Sequence, residues 1–254
     1  MFSTTDANQL RQSLTSMVFL HDGTESQLGV GVKASGLYAA YTQYYSLNFS
    51  ELDSALADSR ASIGTFTSGH YELVCQHFVP ATYPPRKTAF ILHGYFDHSG
   101  LYRHLIRHLL LQDIAVVIFD LPGHGLSCGE TASINSFQEY SESFVRCLKL
   151  AGQQQLTDPW LAIGQSTGAA LIMEALLAER LQQSHALQDT ILLAPLLRPR
   201  HWSRSRILFS LSKLFLASTP RKFSKNSHDV EFLEFLESKD ELQSRLLPRN
   251  WVQA

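Results

Sequence analysis

Cysteine is scarce in this chain: Cys75, Cys128 and Cys147 are its only three in 254 residues. Their odd number, without a CxxC or regular secretory spacing, argues against a disulfide scaffold or a thiolate metal centre and for free thiols in a reducing compartment. Long hydrophobic runs are missing too. No stretch approaches the roughly 18 consecutive apolar residues of a membrane span. The N-terminal stretch carries Asp6, Asn8, Gln9, Arg11 and Gln12 ahead of a short apolar patch, unlike the basic start and continuous apolar core of a secretory leader. The expectation is a cytoplasmic protein. Neither sign of charge is in excess, with Lys+Arg 21, Asp+Glu 23 and a net charge of -2, so no global basic field draws in nucleic acid. His and carboxylate clusters at metal-ligand spacing are also lacking, and no metal is expected.

What the sequence does have is alternation. Short apolar runs, TAFILH (88–93), IAVVIFD (114–120), WLAI (160–163) and TILLA (190–194), take turns with longer segments of helical spacing. Those segments carry Leu101, Leu105 and Leu109, then Phe137, Tyr140, Phe144 and Leu148, then Ile172, Met173, Leu176 and Leu177. Runs that are apolar on both faces and separated by crossover helices predict an α/β fold, a mostly parallel sheet flanked by helices. YELVCQHFVP (71–80) alternates enough for an outer antiparallel strand, ended by the turn at Pro84 and Pro85, and residues 37–56 look helical. The expected organisation is an N-terminal, mainly helical extension over residues 1–65, a core over 66–197 and a helical lid or cap over 198–254.

The most informative residues are Gly164, Gln165, Ser166, Thr167 and Gly168, a GxSxG pattern directly between the strand WLAI and an apolar helix. Alone the pentapeptide is an ordinary strand-to-helix turn. At this place in an alternating α/β pattern it reads as a strained elbow that presents the Ser166 hydroxyl above the sheet, near free N–H groups of a helix N-terminus that favour negative charge. Ser166 is the expected nucleophile. A second loop, HGYFDHSG (93–100), also follows a strand and precedes a helix. Such a loop supplies one backbone N–H to an oxyanion hole and the residue after the nucleophile supplies the other, which makes Tyr95 and Thr167 the expected donors. His93 reads as a satisfied core histidine. His124, in FDLPGHGLS (119–127), reads as loop structure because it precedes the serine.

Together HGYFDHSGLYRHL, FDLPGHGLSCGE and GQSTGAAL resemble the monoacylglycerol lipase and lysophospholipase branch of the α/β-hydrolase superfamily, described also as serine aminopeptidase-like hydrolases, over residues 71–197. The resemblance implies attack of Ser166 on an acyl carbonyl, a histidine serving as base and then acid, release of the acyl-enzyme by water, and no cofactor. It also implies an acid and a histidine after two further strands beyond the lid. Residues after 197 read almost wholly as helices, so those C-terminal strands, the acid and the histidine are expected to be missing here, through truncation rather than loss of hydrolysis. Asp189 begins a strand and falls at the wrong end of the sheet, while His228 next to Asp229 reads as a polar helix start. His185 and His201 are the other late candidates.

Between residues 190 and 228 there is no acidic residue, while Arg198, Arg200, Arg204, Arg206, Lys213, Arg221, Lys222 and Lys225 accompany Trp202, Leu208, Phe209 and Phe215. Two readings stay open: an amphipathic lid that touches anionic membrane, or an ordinary cap with solvated basic residues. The four apolar residues are the expected acyl-binding side chains. The leading expectation is an ester hydrolase of monoacyl lipids. The alternatives are a peptidase or small-ester hydrolase of the same fold, or a hydrolase-like protein that binds acyl ligands without turnover.

Overall fold

A computed structural model describes residues 2–21, 35–181, 186–197, 218–221, 223 and 227–254. Its centre is a six-stranded sheet made of β1 (Arg60–Ser68), β2 (Tyr71–Val79), β3 (Lys87–Leu92), β4 (Ile114–Phe119), β5 (Trp160–Gln165) and β6 (Leu187–Leu193), in the order β1-β2-β4-β3-β5-β6. The four runs read as buried strands are β3 to β6, paired in parallel, but only β3 to β5 are buried: β6 is an edge strand exposed over most of its length. Alternation along each strand serves two cores. Phe90, Leu92, Val117 and Phe119 face one side, and Ala89, Ile91, Val116 and Ile118 the other.

Helices seal both faces. On the first, α5 (Gln138–Gln153) buries Tyr140, Phe144 and Leu148, and α6 (Thr167–Leu177) buries Leu171 and Ile172. On the second, α4 (Arg103–Leu110) buries Ile106 and Leu110 beside Tyr38, Tyr41 and Tyr45 of α2 (Ser35–Tyr45). The N-terminal α1 (Thr4–Ser13) adds Leu10 to that core. It starts where Ser3 and Asp6 cap each other, Asp6 N donating to Ser3 Oγ at 3.2 Å and Ser3 N to Asp6 Oδ2 at 2.9 Å. A short helix, α3 (Phe49–Leu52), follows.

Two expectations need correction. The strand over residues 71–80 is antiparallel but not outermost, because β1 pairs along its whole length and takes the edge. β1 contains Gly64 and Thr65 between Ile63 and Phe66, then Thr67 and Ser68, a run too short of apolar residues to stand out in the sequence, and its partner β2 decides its conformation. It also crosses the boundary drawn between residues 65 and 66. The second correction concerns the segment beyond 197. Besides the helix Val230–Glu234, the π-helical turn Phe235–Lys239 and the helix Arg249–Gln253, it holds an antiparallel pair, β7 (Ser218–Pro220) with β8 (Leu246–Pro248). Each of these strands is three residues long, below the length at which alternation can be seen.

Among the described residues nothing pairs with the outer edge of β6, and Ile191 and Leu193 are more than two-fifths exposed. Asp189 sits near its start, ion-paired to Lys87 Nζ at 3.2 Å, whereas Leu193 lies beside Gln165 at the other end. The placement expected for Asp189 therefore holds. No described helix is long and apolar enough to cross a membrane.

Candidate active site

The site begins with a steric requirement. β5 must turn into α6 with no intervening loop, and Ser166 at the junction takes φ +53°, ψ −108°, a region in which a non-glycine residue is strained. Small neighbours permit it. A Cβ on Gly164 would lie 2.5 Å from the Gly168 backbone, and one on Gly168 would lie 2.0 Å from the Leu92 carbonyl oxygen. Backbone cannot yield as a flexible side chain would. Gly168→Ala should therefore lose about 1–3 kcal/mol of stability in urea unfolding, and wild-type stability would show that α6 can move off β3. The carboxyl end of β6 braces the elbow: Ser166 N donates to Leu193 O at 2.9 Å, and Leu196 N to Ser166 O at 3.1 Å.

A cavity of about 1080 Å³ opens over Ser166, walled by Gly94, Tyr95, Asp97, Tyr102 and Gln165 and roofed from the C-terminal segment by Arg221, His228, Phe232 and Leu236. The structure thus brings together Ser166 and Tyr95, two of the residues singled out from the sequence. Thr167 is fully buried as the first residue of α6. Neither the Tyr95 N–H nor the Thr167 N–H has a hydrogen-bond partner among the described residues, whereas the Gly94 N–H is used by the Tyr102 hydroxyl at 3.0 Å. Trp202, Leu208, Phe209 and Phe215 lie outside the described residues, as do His185 and His201.

The histidines divide by environment. His93 is buried and saturated, its Nε2 accepting from Leu121 N at 2.9 Å and its Nδ1 paired with Gly94 O at 2.8 Å. Burial pushes its pKa down to about 3, which makes it the satisfied core histidine expected. His124 is likewise lowered to about 3, by burial first and His93 second. It bonds Pro122 O within its own loop at 2.9 Å and does not line the cavity. His228 does line it, but neighbouring Asp229 spends its carboxylate capping the helix that follows, accepting from Phe232 N at 2.9 Å. That is the polar helix start expected of the pair.

Two groups escaped sequence reasoning. The Asp97 carboxyl stands in the cavity wall, accepting from the Tyr102 hydroxyl at 3.3 Å, and burial raises its pKa to about 6. The motif implies only backbone donors in this loop; the signal for Asp97 is the carboxylate two residues after the tyrosine. The other is His98, whose Nε2 meets Asp240 Oδ2 at 2.9 Å with both side chains fully buried. Asp240 also accepts from the Tyr45 hydroxyl at 2.8 Å and Leu242 N at 3.1 Å. Nothing local in the sequence marks partners this far apart. Among the described residues no group of His, Cys, Asp and Glu is arranged to hold a metal ion.

Residues 83–254 match the family model of serine aminopeptidase, S33. Among curated proteins the chain is similar to monoglyceride lipase of Rattus norvegicus, 28% identical over 146 residues that cover 58% of this chain and 46% of that protein. It is also similar to monoacylglycerol lipase of Mycolicibacterium smegmatis, 28% identical over 104 residues, 41% of this chain and 37% of that one. The matched stretch thus spans less than half of the length of these relatives. Among solved structures, a soluble variant of monoglyceride lipase from Saccharomyces cerevisiae in complex with a substrate analog superposes with a TM-score of 0.61 at 15% identity, covering 74% of this chain and 65% of that one. At that identity the likeness is one of fold, and the fold is that of an α/β hydrolase.

Proposed function

Because the chain belongs to the serine aminopeptidase, S33, family of α/β hydrolases, we propose that it is a serine carboxylic ester hydrolase of monoacyl lipids, with Ser166 as nucleophile and the N–H groups of Tyr95 and Thr167 as the oxyanion hole. The observation that carries this reading is the elbow: a serine at φ +53°, packed between two glycines and facing a large cavity. Strain of this kind persists only where surrounding structure enforces it, and it turns the hydroxyl out of the helix and away from competing backbone partners. Attack on an acyl carbonyl then places negative charge at two N–H groups that have no partner among the described residues. The relatives' names, monoglyceride lipase and monoacylglycerol lipase, favour a single-chain acyl ester of glycerol over a peptide. The resemblance places the base on a histidine after two further strands beyond the lid. His93 and His98 are set aside because both ring nitrogens of each are engaged, in His98 by Asp240 at Nε2 and Gly100 N at Nδ1, and none of His93, His98 and His124 lines the cavity.

The test is reaction with a serine-directed fluorophosphonate followed by peptide mapping, with turnover of a monoacylglycerol, a lysophospholipid and an amino-acid amide measured in parallel. Labelling at Ser166 with ester turnover supports the proposal, and preferential amide cleavage replaces it by a peptidase. Ligand binding without labelling leaves an acyl-binding protein. The acid-free stretch over residues 190–228 supports a second contact, with anionic membrane. Vesicle binding should rise with anionic lipid and fall with salt, screened over about 8 Å at physiological ionic strength. Reversing Arg204 and Arg206, which lie outside the described residues, to glutamate should weaken it. Binding indifferent to both salt and lipid charge leaves a cap with solvated basic residues.

A further inference from the structure

The loop that carries Tyr95 is held from outside the hydrolase core. Along it, Tyr95, Phe96 and His98 each meet a side chain from the segment beyond residue 218. The Trp251 indole lies flat on the Tyr95 ring, centroids 3.7 Å apart and planes 20° from parallel. From the core, Ala132 O accepts the Tyr95 hydroxyl proton at 2.6 Å. The Arg221 guanidinium sits 4.2 Å from the centroid of the Phe96 ring and is itself fixed by hydrogen bonds to Gln243 Oε1 and Ser244 O. The Asp240 carboxylate takes the third contact, to His98. Between these fixtures Phe96 has φ +71°, a left-handed conformation that a bulky residue keeps only when its surroundings impose it.

We infer that Trp251, Arg221 and Asp240 are positioning residues that hold residues 95–98 so that the Tyr95 N–H faces Ser166. This rests on the assignment of that N–H as an oxyanion donor. The reason is geometric: a donor must stand within a few tenths of an ångström of the developing oxyanion to act on it. The core's hydrogen bonds fix part of the loop, through Gly94 N to the Tyr102 hydroxyl at 3.0 Å, Ser99 N to Asp120 Oδ1 at 2.7 Å, Asp97 N to Gly94 O at 3.0 Å and the Tyr102 hydroxyl to Asp97 Oδ2 at 3.3 Å. Within that span the backbone N–H groups of Tyr95 and Phe96 have no hydrogen-bond partner among the described residues, and the rings of Tyr95, Phe96 and His98 are met from the C-terminal segment. Any displacement of that segment, as by a lipid entering the cavity it roofs, would loosen the oxyanion hole with it.

Trp251→Ala and Trp251→Phe test the inference in the full chain by amide hydrogen exchange, which needs no activity, alongside the rate of fluorophosphonate labelling at Ser166 and the affinity for a non-hydrolysable monoacyl ether. In Trp251→Ala, exchange in the peptide covering residues 94–102 should rise about tenfold, the most that loss of one stacked aromatic pair supplies. Labelling should slow by a similar factor, while β3 to β5 stay protected and the ether binds as before. Trp251→Phe should restore most of both. Unchanged exchange in that peptide overturns the inference, and so does a rise shared equally by the whole sheet, which would make Trp251 a general packing residue. A wild-type chain that never labels at Ser166 defeats the proposed function instead, and the exchange measurement still decides whether the loop is held from the C-terminal segment.

Discussion

In a chain supplied with the acid and histidine expected beyond the lid, Ser166→Ala should reduce hydrolysis of a monoacyl ester by on the order of 10⁴- to 10⁶-fold in kcat, as removal of the nucleophile does in serine hydrolases whose catalytic groups act as a unit. The substitution removes one oxygen and leaves the backbone path in place. Alanine meets the same strain at φ +53° as serine, and the bonds from Ser166 N to Leu193 O and from Leu196 N to Ser166 O involve only backbone. Stability and the affinity for a non-reacting acyl ether should therefore stay near wild type while the chemical step disappears. What remains is the rate that binding and the oxyanion hole support without a nucleophile, roughly 10³- to 10⁴-fold over water. Near-normal turnover by the mutant would remove Ser166 from the mechanism. Thr167→Ala provides the contrast. Its proposed contribution is a backbone N–H, and its Oγ1 is buried without a partner, so turnover should change little.

The largest expected effect on stability lies at Asp240. Its carboxylate is fully buried against His98 and accepts from the Tyr45 hydroxyl, so Asp240→Ala strands a buried imidazole and a buried phenol together. Breaking a buried pair by deleting one partner costs about 3–5 kcal/mol, measurable as a lower urea midpoint at pH 6. Asp240→Asn should lose less, because it can keep the hydrogen bonds while giving up the charge. The pH dependence carries a definite sign. Burial pushes the His98 pKa down, but the Asp240 carboxylate, with Asp120 and Asp97 behind it, outweighs burial and holds it above its ordinary 6.5. That stabilisation is complete below pH 6.5 and is lost as pH rises through the folded-state value. Burial raises the Asp240 pKa, but His98 and the hydrogen bonds from His98, Tyr45 and Leu242 bring it below its ordinary 3.8. That contribution is present above pH 3.8 and fades as pH falls through the folded-state value. Together they predict a plateau between these limits with a decline on each side. In Asp240→Asn the alkaline decline should vanish. A wild-type protein whose stability keeps rising from pH 6.5 to about 9 would contradict a raised His98 pKa.

Much of the fold is legible in the chain because its central strands are buried on both faces. Such strands must be apolar throughout, as in IAVVIF of β4, and they stand out against the helical spacing of α5. The elbow is legible for a related reason: a backbone path this tight admits few residue types, so Gly164 and Gly168 record it directly. Where local restraints were weak, the pattern was weak as well. β1 carries Thr65, Thr67 and Ser68 in an edge strand whose pairing supplies what propensity does not, and β7 and β8 are too short to show a period.

By itself the sequence determined the parallel core, the elbow that places Ser166 at the end of β5 and the two loops around it, because each is fixed by neighbours a few residues away. Only the tertiary structure decided the roles of charged and aromatic side chains. His98 is separated from Asp240 by 142 positions, and Tyr95 meets Trp251 from the far end of the chain. Burial then meets one residue type in two settings: it lowers the His93 pKa where the partners are backbone groups, and at His98 a facing carboxylate outweighs it and raises the pKa. An imidazole's charge depends on solvent exclusion and on what lies within a few ångströms, and both are set by packing between segments distant in the chain.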